Sequence, residues 1–83
     1  MANPITSFLR EASITVTTPY YLSGGQSHTF NLNGTGAWQY WDGAAWVSYT
    51  AGSGKNFTAD APASGKVQAL VTSGTVVASF IQR

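Results

Sequence analysis

From Ser13 onward, apolar residues alternate with polar ones over short runs, and segments containing Gly separate the runs. Period-two alternation puts every second side chain on one face of a strand, so the pattern predicts strands and hairpins rather than helices. Seven runs are legible: Ser13 to Thr18, Ser27 to Leu32, Ala37 to Trp41, Trp46 to Tyr49, Asn56 to Ala59, Lys66 to Thr72 and Thr75 to Gln82. Tyr20 to Leu22 reads as an edge continuation of the first run beyond Pro19, a residue that cannot donate to a ladder. Ser23-Gly24-Gly25-Gln26 and Asn33-Gly34-Thr35-Gly36 read as turns, Asn-Gly being a strong hairpin signal. The chain shows no internal repeat.

Two hairpins can be counted residue by residue. If Ser73-Gly74 is a two-residue loop, Thr72 faces Thr75, Val71 faces Val76, Ala69 faces Ala78 and Val67 faces Phe80, which gathers six apolar residues on one face. The other face then carries Gln68 with Ser79 but also Leu70 with Val77. That face is half apolar, which suits cover by another layer or subunit. In the aromatic hairpin an even loop at Asp42-Gly43, or at 42–45, puts Trp38, Tyr40, Val47 and Tyr49 on one face and Gln39, Trp41, Trp46 and Ser48 on the other. The first set supplies a core. The second presents two tryptophans beside a turn.

These runs predict an all-β chain: a small antiparallel β-sandwich or barrel of six to eight short strands, formed as a single β-domain over 13–83. Residues 1–12 lack alternation and read as an extended N-terminal arm with room for one helical turn near Ser7 to Ala12. Helix is expected to be confined to that arm, whose Phe8 and Leu9 would dock on a neighbouring subunit. The start of the chain carries no apolar run of signal-peptide or membrane-span length. On that reading the sequons at Asn33 and Asn56 are expected to stay unmodified.

Charge changes the picture. Only seven residues are ionised, 8% of the chain against ~25% in an ordinary soluble domain. So uncharged a surface protects poorly against association and is expected to be covered in part. A net charge of +1 with scattered basic residues gives no footprint for nucleic acid. Eighty-three residues without a Cys hold a modest core that further burial in an assembly would reinforce.

Candidate chemistry is sparse. One His and three carboxylates, with no Cys, offer no convergent set for acid-base, nucleophilic or metal chemistry. His28 shares a run with Phe30 and Leu32 and is expected to be packed or superficial. Asp42-Gly43 and Asp60-Ala61-Pro62 are expected turns, since Asp caps its own backbone there. The Gly-rich segments at 23–26 and 51–55 lack phosphate-loop spacing. The reading is therefore of a protein that is not an enzyme and has no cofactor or metal. The aromatic segment Trp38 to Tyr49 is the functional lead, because Trp and Tyr stack on sugars and dominate protein interfaces.

Leu22-Ser23-Gly24-Gly25, Ser27 to Leu32, Trp46-Val47, Ala61-Pro62-Ala63-Ser64-Gly65-Lys66-Val67 and Val71-Thr72-Ser73-Gly74-Thr75 occur in an order that resembles small β-structural proteins of tailed-bacteriophage virions. Capsid decoration (cement) and head-fibre proteins are the types meant. The resemblance implies a non-enzymatic homo-oligomer, often a trimer, seated on the major capsid protein of a virion assembled in the host cytoplasm, with no membrane or nucleic-acid partner. The expected interface residues are Phe8, Leu9, Trp41, Trp46, Leu70 and Val77. Tyr40 to Tyr49 with Asp60-Ala61-Pro62 is also similar to small aromatic modules that bind chitin or cellulose. A carbohydrate-binding module or a tail or fibre component is the alternative.

Overall fold

A computed structural model describes residues 9–82. Six antiparallel strands form one sheet: β1 (Leu9–Ile14), β2 (Thr18–Tyr21), β3 (Ser27–Trp41), β4 (Trp46–Ser48), β5 (Asn56–Asp60) and β6 (Lys66–Gln82). The sheet is all-β as expected, but it is not closed into a barrel. Leu9 to Ala12, assigned above to an arm or a helical turn, belong to β1, whose residues 9–14 face Ile81 to Val76 of β6. Pro19 sits inside β2, an edge strand, where its missing N–H costs no ladder bond. Among the described residues the helical segment is a short 3-10 turn at Ala51–Gly54, so helix is not confined to the N-terminus.

The largest difference from the sequence reading concerns the hairpins expected at Asn33-Gly34 and Ser73-Gly74. Neither forms. β3 and β6 each run straight through those sites and pair with each other along almost their whole length, from His28↔Gln82 to Tyr40↔Val67. Turn-forming residues in both strands lie side by side and produce a shared corner. Asn33 faces Val77 while Gly36 faces Val71, so β6 uses three more residues than β3 to round it. The neighbouring edge shows the same excess: Ile14 faces Val76 and Thr18 faces Ala69.

An excess of three is odd, and an odd slip exchanges the two faces of a strand. Val67 and Ala69 before the corner, and Val76, Ala78 and Phe80 after it, therefore all turn inward and are buried. In β3 the inward positions keep one parity throughout, with His28, Phe30, Leu32 and Trp38 buried. The counted hairpin thus named a correct inward set in β6 through a pairing that does not exist. Leu70 and Val77, expected opposite each other, face Ala37 and Asn33 instead and lie on either side of the corner.

Bending brings the two halves of the sheet together. The first contains β1, β5 and the adjoining ends of β3 and β6; the second contains β2, β4 and the other ends. Phe30 and Phe80 from the first half meet Trp38 and Tyr20 from the second at ring-centroid distances of 5.2 to 5.8 Å for Phe30–Trp38, Trp38–Phe80 and Tyr20–Phe80. Each buried ring removes ~150–250 Å² from water, on the order of 4–6 kcal/mol. Trp38 hides its one polar atom by donating Nε1–H to the Asn31 carbonyl at 3.0 Å.

The corner requires glycine. A Cβ on Gly36 would overlap the Leu70 carbonyl, and one on Gly34 would meet the Thr75 carbonyl and the Val76 side chain at 2.9 Å. Gly34 also has φ 131°, a conformation that side chains disfavour. Gly36→Ala should lower the unfolding free energy by about 1–3 kcal/mol as an overpacking change, and Trp38→Ala by about 3–5 kcal/mol. Urea denaturation measures both, and an unaltered midpoint for Gly36→Ala would contradict the corner.

Candidate functional site

The aromatic hairpin of β3 and β4 has the even loop that the parity count needs. Trp41 faces Trp46, and the Asp42 N–H donates to the Ala45 carbonyl at 3.0 Å across a loop at 42–45. Asp42 Oδ1 in turn accepts from the N–H groups of Ala44 and Ala45, both at 2.8 Å. Those two bonds hold the Asp42 carboxyl below the usual range, so it remains an acceptor. Trp38 points into the core while Trp41 and Trp46 are half-buried on the opposite face.

On that outer face the two tryptophans pack edge-on, with centroids 5.4 Å apart and planes at 66°. Lys66 Nζ lies 4.8 Å from the Trp41 ring and 5.6 Å from Trp46, within cation–π range. Tyr21 faces Lys66 across the β2–β6 ladder and is 72% exposed. An amide row runs alongside. Gln68 Nε2 donates to Gln39 Oε1 at 2.6 Å, and Gln39 Nε2 donates to Ser48 Oγ at 3.0 Å. Tyr21, Lys66, Trp41 and Trp46 thus form an aromatic row next to a hydrogen-bonded polar row on a regular pleated surface.

A second feature lies where the sheet fails to close. β4 and β5 flank β3 on different halves and do not pair with each other. Between them opens a cleft of about 390 Å³ lined by Tyr40, Ser48, Tyr49, Asp60 and Pro62 among others. Tyr40 and Pro62 also line an adjoining hollow of about 540 Å³ that reaches Trp41, Asp42 and Ser64. Tyr40 and Tyr49 form an angled wall, with centroids 4.9 Å apart and planes at 51°. The Tyr49 hydroxyl donates to the Asp60 carbonyl at 3.4 Å. Burial, with lesser contributions from Tyr40 and Asp60, raises the Tyr49 pKa to about 12, so its hydroxyl stays protonated.

The remaining expected residues fall in different places. Phe8 lies outside the described residues. Leu9 opens β1 with its backbone opposite Ile81. Leu70 and Val77 are both half-buried, yet the corner separates them. The structure therefore brings Trp41 and Trp46 together and does not join Leu70 to Val77. His28 is 2% exposed, with Nδ1 2.8 Å from the Gln26 carbonyl and its ring near Phe30 and Phe80. Among the described residues no group of three or more His, Cys, Asp or Glu is placed to hold a metal. Sequence reasoning missed Tyr21, Lys66, the Gln68–Gln39–Ser48 row and the seam, all of which join segments distant in sequence.

No protein-family model, curated protein or solved structure matches the chain.

Tyr49 gives the site a titration signature. An unfolded tyrosine ionises at pH ~10, whereas burial pushes the pKa of folded Tyr49 up to about 12. The unfolded chain therefore loses its proton first, and the stability Tyr49 contributes is intact below the first value and lost as pH rises through the second. Alkaline denaturation should steepen across that window. Tyr49→Phe should flatten it, and an identical pH profile for the variant would contradict the burial of this hydroxyl.

Proposed function

We propose that this chain is a non-enzymatic structural protein of a tailed-phage particle, an accessory head protein that docks as a homo-oligomer on the major capsid protein. The observation that carries the reading is the outer face: a row of Tyr21, Lys66, Trp41 and Trp46 beside an uncharged amide row. Interfaces are enriched in Tyr and Trp at their centres and poor in charge there. An exposed Tyr and two half-exposed Trp on the outer face of one half of the bent sheet suit a broad protein surface.

The fold supports the same reading. The two halves of the bent sheet act as the layers of a small sandwich, leaving the outer surface of each available for contact. β4 ends the path of strands, and its backbone can add to a partner strand. With charges on 8% of residues, such contacts depend on apolar area and backbone pairing. The particle assembles in the host cytoplasm, and the protein needs no cofactor, nucleic acid or membrane.

The test pairs native mass with docking. The purified chain should self-associate, with a trimer the expected state, and should bind phage heads that lack it. Tyr21→Ala and Trp46→Ala should each weaken docking by about 2 kcal/mol or more, as hot-spot truncations do, while leaving the urea midpoint near that of the parent. A chain that stays monomeric at high concentration and binds no phage particle overturns the proposal.

A further inference from the structure

We propose that the open seam between β4 and β5 is a binding site for a neutral oligosaccharide. This goes beyond a role in a particle and does not depend on it: the cleft takes none of Tyr21, Lys66, Trp41 and Trp46, and the adjoining hollow shares Trp41 alone with the outer face.

Shape is the first reason. The cleft of about 390 Å³ and the adjoining hollow of about 540 Å³ share Tyr40 and Pro62. Each lies in the ~300–1,000 Å³ range of small-ligand clefts. Together they offer two neighbouring positions along one track rather than a closed hole, which suits a short chain of linked rings.

The walls are the second reason. Tyr40 and Tyr49, angled to one another, and Trp41 in the adjoining hollow present aromatic surface next to polar groups. A sugar ring has the same division, with an apolar C–H face and a rim of hydroxyls. The Tyr49 ring is fixed from behind by Phe30 and Phe57, at 5.4 and 4.7 Å. That packing gives the cleft a prearranged wall and reduces the ordering cost of binding.

Donor and acceptor character decides the ligand class. The two ionised residues that line the seam, Asp60 in the cleft and Asp42 in the hollow, are both carboxylates. An ionised carboxylate only accepts hydrogen bonds, whereas Ser and Tyr hydroxyls do both. The site thus favours a ligand rich in donors and without negative charge. Sugar hydroxyls satisfy both conditions. A proline-rich peptide also docks on aromatic grooves, but it presents carbonyl acceptors and lacks N–H groups at its prolines, so it meets these carboxylates poorly.

The chain should be titrated with chitotetraose, cellotetraose and maltotetraose, using calorimetry for affinity and amide NMR shifts for location. At least one should bind saturably below about 10 mM, with shifts concentrated at Ser48, Thr50, Asp60 and Ala61. Asp60→Asn should weaken that binding about tenfold, the scale of a lost hydrogen bond to a charge. Glu11→Gln, which removes a carboxylate on β1, should leave it unchanged, and the NMR spectrum of each variant establishes that it is folded. Absence of saturation by all three sugars overturns the proposal. So does an Asp60→Asn variant that binds as the parent does, or a polyproline peptide that shifts the same amides where the sugars do not.

Discussion

The close approach of the β6 backbone to Gly34 and Gly36 is the contact on which the rest of this molecule depends. Two strands of 15 and 17 residues pair with each other, and neither could fold into a small globule if both stayed straight. The corner lets them bend together. Because β6 rounds it with three extra residues, the inward face of one half becomes continuous with the inward face of the other. Phe30, Trp38, Val67 and Phe80 can then share one interior. A slip of two residues would have turned Val76, Ala78 and Phe80 outward and taken Phe80 away from Trp38.

The corner also produces the outer aromatic face and the open seam. Folding a single sheet on itself leaves an outer face on each half and an opening wherever the edge strands do not meet. The second half shows Trp41, Trp46, Lys66 and Tyr21 outward while Trp38 and Tyr20 of the same strands line the core. The opening falls between β4 and β5, where Tyr40 and Tyr49 are covered on one side only. Aromatic residues thus play three parts according to strand parity and position: sealed core, exposed row and cleft wall.

Local chemistry made much of this legible in the sequence. The strands at 27–32, 37–41, 46–48 and 56–59 follow from alternation, and Asp42 announces its loop through side-chain acceptors aimed at Ala44 and Ala45. Parity alone separates Trp38 from Trp41 and Trp46. Asn33-Gly34 and Ser73-Gly74 misled because the freedom that makes a hairpin turn also makes a sharp bend within paired strands, and local sequence does not distinguish them. The choice between them is tertiary. It depends on Gly36 meeting Leu70, a contact between residues 34 positions apart in the chain. The Gln68–Gln39–Ser48 row and the cation over Trp41 share that long-range origin, so alternation could not reveal them.

Cross-strand nuclear Overhauser effects from a uniformly labelled sample test the corner most directly. The bent sheet requires contacts of Ala78 with Leu32 and of Ala69 with Trp38, the register in which β3 and β6 pair on both sides of the bend. Contacts that instead place Ala69 opposite Ala78, and Val71 opposite Val76, would mean that β6 turns back on itself at Ser73-Gly74. That result would contradict the bent sheet, and with it the outer face and the seam.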